Sequence, residues 1–174
     1  PMDVLQMAVS SLGTFYDLEV SPEKVKTKKY DHEYFMQTSA ILIGSLGSIV
    51  AAWHRIRNGH EPITSNPDST YAENFLRMLG AENITPLMTR IMDATLVLHG
   101  EHTINASTFT AMVTSSTLAN ASQVMASAIG SLSGPLHGGA NEKVVSMLEK
   151  INSKEDIRPW LDETLKAKNV VWGM

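Results

Sequence analysis

Apolar residues recur at helical spacing along nearly the whole chain. In the first segment, Val4, Leu5, Val9 and Leu12 fall on one face of a helix. No segment alternates apolar and polar residues as a half-buried strand does, so the pattern predicts an all-α fold. After the first helix, the pattern predicts helices at about 32–58, 69–80, 85–98 and 105–118, a further one that reaches about 132, and two more at 137–151 and 153–168.

Turn-forming residues separate these predicted helices. Gly59 and Gly80 stand where a helix should end, since glycine adopts the left-handed conformation of a helix C-terminus without strain. A polar, Lys-rich link is expected over 19–31. Asn105 or Ser107 is predicted to cap the helix that follows, because either side chain can accept a hydrogen bond from an unpaired N–H of the first turn.

Charge is scarce and unevenly spread. The 174 residues carry 14 Lys and Arg against 18 Asp and Glu, and neither 35–53 nor 103–141 contains a single one of these. An uncharged surface of that length is poorly suited to free solvent, so we expect much of it to be covered in an oligomer. Gly44, Gly47 and Ala51 would let a second helix approach closely, and we predict that the 35–53 helix lies in a dimer interface.

Composition excludes several classes of protein. A pI of 5.8 argues against a nucleic-acid binder. The apolar centre of the second helix, 41–52, is shorter than the roughly 20 residues of a membrane span. The chain has no Cys and opens without a signal-peptide pattern, which predicts a cytoplasmic protein that does not bind membranes. Both ends are cut within apolar, helix-like sequence, and we interpret them as truncations.

A phosphate-binding motif and an esterase motif are each incomplete in this sequence. Gly134 to Gly139 is glycine-rich, but Ala140 and Asn141 follow it, whereas a phosphate-binding loop needs Lys and then Ser or Thr. Leu132 occupies the centre of Gly130-Ser-Leu-Ser-Gly134, where an esterase would carry its nucleophilic Ser.

A metal site at His99, Glu101 and His102 is also weakly supported. The zinc-protease pattern needs two His at i and i+4 on a helix, and Gly100 interrupts the helix here. The plain alternative is that one His donates a hydrogen bond at a helix end while the other packs. We predict no metal.

His137 is the strongest candidate for chemistry. It lies between Gly134-Pro-Leu and Gly-Gly-Ala-Asn-Glu142, which predicts an imidazole at the first turn of a helix. A histidine at such a position can donate a hydrogen bond to a carbonyl oxygen, as in enolisation. The neighbouring glycines would let a ligand approach backbone N–H groups.

The block Gly134-Pro-Leu-His-Gly-Gly-Ala-Asn-Glu142, preceded by Glu101-His-Thr-Ile-Asn-Ala-Ser-Thr-Phe109, resembles citrate synthase. His102 and His137 stand 35 residues apart, which is similar to the prokaryotic-type branch of that family. Further blocks in the same order are 1–5, 71–76 and 170–174, so the resemblance covers essentially the whole chain.

The resemblance implies a reaction and its residues. His137 matches the catalytic histidine that donates a hydrogen bond to the thioester oxygen of acetyl-CoA, and His102 and Asn105 match residues that bind oxaloacetate. It implies no permanently bound cofactor, with the coenzyme A thioester as co-substrate, and a homodimer or higher homo-oligomer. The implied contacts to coenzyme A come from Leu136, Val170, Val171, Trp172, Gly173 and Met174.

The resemblance also implies two domains. Residues 1–137 would form most of a large helical dimerisation domain, and residues 138–174 would form the start of a small domain. The family's second catalytic histidine is expected in a Gly-His-Arg block directly after Met174, and neither it nor the catalytic aspartate is present. We therefore expect the 174 residues alone to be inactive. Two alternatives stay open: a 2-methylcitrate synthase that uses propionyl-CoA, and a non-catalytic helical assembly module.

Overall fold

The computed structural model describes residues 1–16, 18, 32–101 and 103–172, and this part of the chain contains helices, turns and loops but no β-strand. The all-α prediction is confirmed. Two compact units are present, Pro1–Ser131 and Leu132–Met174. A division of the whole enzyme at 137 and 138 stays a prediction. The α-helices are α1 (Met2–Ser11), α2 (His32–Arg57), α3 (Tyr71–Leu79), α4 (Pro86–Leu98), α5 (Ala106–Ser115), α6 (Ala121–Leu132), α7 (Gly139–Leu148) and α8 (Lys154–Lys166).

Local signals set most of the helix ends. Gly59 and Gly80 follow α2 and α3 with φ angles of 77° and 93°, the left-handed conformation predicted for them. At the start of α4 the Thr85 side chain accepts a hydrogen bond from the N–H of Met88. The start of α3 differs from the prediction, because Thr70 caps it and the residues just before form a separate turn. The Lys-rich link predicted over 19–31 lies outside the described residues.

Helix α2 is the centre of the first unit and packs against both α1 and α3. By length and composition alone it could cross a membrane. However, Thr38, Leu42, Gly47 and Ala51 are buried within the unit, as expected for the core helix of a globular domain.

The contact at Gly47 changes one prediction. A Cβ on Gly47 would lie 2.5 Å from the hydroxyl oxygen of Tyr71 and 3.7 Å from the Phe75 ring, so α3 of the same chain is the helix that approaches here. Gly44 has no neighbour within 4 Å of the corresponding position. Gly47 therefore serves packing inside the chain and cannot be used as an indicator of a subunit interface.

Hydroxyl and amide groups connect the uncharged helices α5 and α6 to each other and to α1. Thr114 Oγ1 and Ser127 Oγ lie 2.8 Å apart between α5 and α6, and Gln123 Nε2 donates to Ser10 Oγ at 2.8 Å between α6 and α1. Neutral hydrogen bonds thus replace ion pairs at these contacts, which accounts for part of the missing charge.

The second unit consists of α7, α8 and the segments beside them. Val144 on α7 is its buried apolar residue. Ser153 starts α8 by donating from both its N–H and its hydroxyl group to the Asp156 carboxylate, at 3.1 and 2.9 Å. After α8 the chain reverses, with Lys168 at φ 55° and the N–H of Asn169 donating to the carbonyl oxygen of Thr164 at 3.0 Å.

Candidate active site

His137 lies in a tight turn between α6 and α7. Its N–H donates to the carbonyl oxygen of Gly134 at 3.0 Å. The N–H of Gly138 donates to the carbonyl oxygens of both Leu132 and Gly134, each at 3.1 Å. The turn is therefore closed onto the last residue of α6, and the backbone of the histidine is held by hydrogen bonds on both sides.

This arrangement corrects the predicted helix start at 137. Helix α7 begins at Gly139 with Gly138 as its N-cap, so His137 precedes the helix and is not in its first turn. Residues 134–138 instead form the turn that closes onto Leu132 through the Gly138 N–H. A Cβ at Gly138 would collide with the Leu132 carbonyl oxygen, so the turn requires glycine there.

The turn is partly open to solvent. Leu136 is fully exposed, and His137 is partly buried. A partly exposed imidazole on a hydrogen-bonded backbone, just before the N-terminus of a helix, can donate to a ligand oxygen that carries negative charge. The partial positive charge of the α7 N-terminus acts in the same direction.

The predicted coenzyme A segment lies in the same unit, beside a cleft of about 780 Å³ between α7 and α8. Val170 and Val171 are 63% and 41% exposed, so their apolar surface is available to a ligand. The Trp172 ring lies under the Lys143 ammonium group, with Nζ 4.3 Å from the ring centroid. Gly173 and Met174 lie outside the described residues.

Asn105 has a definite structural role in the first unit. It is the N-cap of α5, and its side-chain oxygen accepts a hydrogen bond from the N–H of Thr108 at 2.9 Å. Of the two predicted caps, Asn105 is therefore the one used. Ser107 instead donates to the carbonyl oxygen of Ala128 on α6 at 3.0 Å. The Asn105 NH₂ group is the part of this side chain that remains suited to binding a carboxylate.

The backbone next to His102 is unusual, although His102 itself lies outside the described residues. Thr103 has φ 56°, a left-handed conformation that is uncommon for a β-branched residue. Its N–H donates to the Glu101 carboxylate in a short contact. Such conformations concentrate at functional sites.

His99 makes a hydrogen bond at a helix end, as the alternative to a metal site predicts. It caps the C-terminus of α4, and its Nδ1 lies 2.7 Å from the carbonyl oxygen of Thr95, where a protonated Nδ1 donates. One of the two histidines is thus a hydrogen-bond donor at a helix end.

Lys143 and Trp160 are residues of this region that the sequence did not single out. Both line the cleft between α7 and α8 together with Trp172. No local motif marks them, because their proximity depends on how the chain returns after α8.

Comparison with known proteins places these features in a family context. Residues 1–174 match the family described as citrate synthase, C-terminal domain. A curated protein from Acidithiobacillus ferridurans named citrate synthase is 44% identical over 174 residues, which cover 99% of this chain and 44% of that protein. One from Shewanella oneidensis named 2-methylcitrate synthase is 35% identical over 176 residues, with 99% and 44% covered.

Solved structures agree. The crystal structure of citrate synthase from Pyrobaculum aerophilum is 35% identical in sequence and matches with a TM-score of 0.70, covering 87% of this chain and 39% of that one. The chain therefore spans less than half the length of the relatives that it matches.

Proposed function

The chain belongs to the citrate synthase family, and from this we propose that its full-length gene product condenses acetyl-CoA with oxaloacetate to give citrate and coenzyme A. The observation that carries the proposal is the family match over all 174 residues together with the turn at Gly134 to Gly138. That turn holds a partly exposed histidine on a hydrogen-bonded backbone, which suits a donor to a developing enolate oxygen.

The proposed reaction begins with removal of a proton from the methyl group of acetyl-CoA by a carboxylate. The electron pair of the broken C–H bond moves toward the thioester oxygen, where the His137 imidazole donates a hydrogen bond. The resulting enol carbon bonds to the carbonyl carbon of oxaloacetate while the C=O π bond opens, and the oxygen takes up a proton to become the hydroxyl group of citryl-CoA. Water then hydrolyses citryl-CoA, breaking the C–S bond and releasing citrate and coenzyme A. Preorganised donors of this kind are among the largest contributions to catalysis.

Binding of the two substrates is assigned to separate parts of the chain. We assign oxaloacetate to His102 and to the Asn105 NH₂ group, which supplies two N–H donors. The coenzyme A thioester, a co-substrate and not a resident cofactor, is assigned to Leu136 and to the 170–174 segment. Exposed side chains among these residues support the assignment. Leu136 presents apolar surface next to His137 in sequence, and Val170 and Val171 present it within the same unit.

We further propose a cytoplasmic homodimer or higher homo-oligomer. Support comes from the exposed apolar residues Met36, Ile43 and Val50, which recur every seven residues on one side of α2. A contiguous apolar stripe of that length is typical of a protein–protein contact.

A thiol-release assay on the full-length gene product tests the function. Acetyl-CoA and propionyl-CoA are each supplied with oxaloacetate, and we expect faster turnover with acetyl-CoA. Faster turnover with propionyl-CoA would instead identify a 2-methylcitrate synthase. No turnover with either thioester would favour a non-catalytic assembly module. The 174-residue chain, assayed beside it, is expected to release no thiol.

A further inference from the structure

Lys143 and Trp172 form a contact that the proposed reaction does not use directly. The Lys143 Nζ lies 4.3 Å from the centroid of the Trp172 ring. This distance is well within the roughly 6 Å over which a cation is attracted to the negative face of an aromatic ring. We propose that Lys143 is a positioning residue, which holds Trp172 and thereby sets the place of the segment 170–172 for binding the coenzyme A thioester. The inference rests on the proposed function.

Lys143 lies on α7, close in sequence to the His137 turn. This helix begins at Gly139, directly after the His137 turn. Lys143 is four residues further on, about 6 Å along the helix axis. A short, rigid piece of helix therefore connects the backbone that carries His137 with the residue that contacts Trp172.

The segment 170–172 is anchored at its two ends. At its start, the N–H of Asn169 donates to the carbonyl oxygen of Thr164 and fixes the reversal after α8. Beyond this point Val170 and Val171 are substantially exposed and offer little packing. Trp172 is half-buried at the edge of the cleft, under the lysine. The lysine contact is thus well placed to determine the direction of these three residues.

The charge of Lys143 is also compatible with the proposed ligand. A coenzyme A thioester is anionic, and a lysine that stacks on Trp172 brings a positive charge to the segment without occupying its exposed apolar side. Lys150 also lines this cleft and provides a matched comparison. Both are exposed lysines of one unit. The two lysines differ in that Lys143 contacts the Trp172 ring.

The test compares Lys143→Met, Lys143→Arg and Lys150→Met in the full-length gene product. Methionine keeps much of the apolar stem and removes the charge, whereas arginine preserves a cation that stacks on tryptophan. We expect Lys143→Met to raise the KM for acetyl-CoA and the calorimetric Kd for coenzyme A by about twofold to fivefold, the range for a partly exposed cation–π contact. The KM for oxaloacetate should not change. Lys143→Arg should restore wild-type binding, and Lys150→Met should resemble the wild type.

A double-mutant cycle with Trp172→Leu separates this role from general electrostatic attraction. If the lysine acts through the ring, Lys143→Met should weaken coenzyme A binding no further once Trp172 is Leu. Additive losses, or equal losses for Lys143→Met and Lys150→Met, would overturn the inference.

The two readouts also distinguish the inference from the function on which it rests. A wild-type protein that binds coenzyme A but turns over neither thioester contradicts the proposed function. A wild-type protein that is active, with unchanged coenzyme A binding in Lys143→Met, contradicts only the positioning role. A wild-type protein that neither binds coenzyme A nor releases thiol contradicts both.

Discussion

The hydroxyl group of Tyr71 occupies the space beside Gly47. It donates a hydrogen bond to the carbonyl oxygen of Ile43 at 3.0 Å and lies 2.5 Å from where a Cβ on Gly47 would be. Helix α3 can therefore approach α2 closely only because residue 47 has no side chain. This contact joins two elements of the first unit, and it assigns the small residue to packing within the chain.

Substituting Gly47 and Gly44 by alanine should have opposite effects on stability. Gly47→Ala forces the Tyr71 ring to move and is expected to lower the free energy of unfolding by about 1–3 kcal/mol. Gly44→Ala meets open space and should raise it by about 0.5–1 kcal/mol, because alanine favours the helix. Urea unfolding of the full-length gene product measures both. Equal stabilisation by the two substitutions would show that α3 does not pack against Gly47.

Tyr71 should also make stability depend on alkaline pH. Burial raises the pKa of its phenol above 10.0, and a backbone hydrogen bond at Gly47 partly opposes this. The contribution of Tyr71 to the free energy of unfolding is complete below about pH 10, where the phenol is neutral in both the folded and the unfolded chain. As the pH rises further, the unfolded chain loses its proton before the folded one does, so stability falls. The thermal midpoint of the wild type should therefore decrease more steeply above pH 10 than that of Tyr71→Phe. Parallel curves would contradict the assignment.

Asn105 allows its two roles to be separated. Asp is as good an N-cap as Asn, so Asn105→Asp should retain stability, yet it places a negative charge where a dicarboxylate is proposed to bind. We expect the KM for oxaloacetate to rise at least about tenfold, which corresponds to about 1.4 kcal/mol, with little change for acetyl-CoA. Asn105→Ala should lose the cap as well, at about 1 kcal/mol of stability. An unchanged KM in Asn105→Asp would limit this residue to capping α5.

His137→Ala should reduce turnover without greatly changing substrate binding. Its proposed hydrogen bond strengthens mainly as negative charge develops on the thioester oxygen, so its loss acts on the transition state. We expect kcat to fall by about 10²–10³, the usual effect of removing one such donor, while both KM values change little. His137→Gln should be scarcely better, because its amide cannot reproduce the position of the imidazole nitrogen. Near-normal thiol release by either variant would place the chemistry elsewhere.

The exposed side of α2 provides the test of oligomerisation. Ile43 is 57% exposed, and Ile43→Glu would bury an unpaired charge if this side faced another subunit, at a cost of several kcal/mol. We expect light scattering to show a smaller assembly than for the wild type. Gln37→Glu introduces the same residue at an exposed polar position of the same helix, about 120° around its axis from Ile43, and should leave the mass unchanged. An intact assembly in Ile43→Glu would exclude this surface as the interface.

The sequence by itself determined the helical class and most helix ends. The turns at Gly59 and Gly80, and the cap at Thr85, depend on interactions between residues no more than about five positions apart. Such interactions are encoded locally, in the choice of a residue that tolerates a left-handed backbone or carries an acceptor oxygen. The Gly134–Glu142 block is likewise local in sequence, and it is sufficient to identify the family and to point to His137.

Tertiary structure decided how individual residues are used. Ser107 could cap α5 as well as Asn105 by chemistry, but its hydroxyl group donates to Ala128 on a neighbouring helix. Gly47 could have faced a second subunit, but Tyr71 of the same chain covers it. Lys143 gains its aromatic partner only because the chain returns past α7 after α8. In each case the partner is distant in sequence. The packing of whole helices selects it among several partners that are chemically equivalent, and local propensity does not encode that packing.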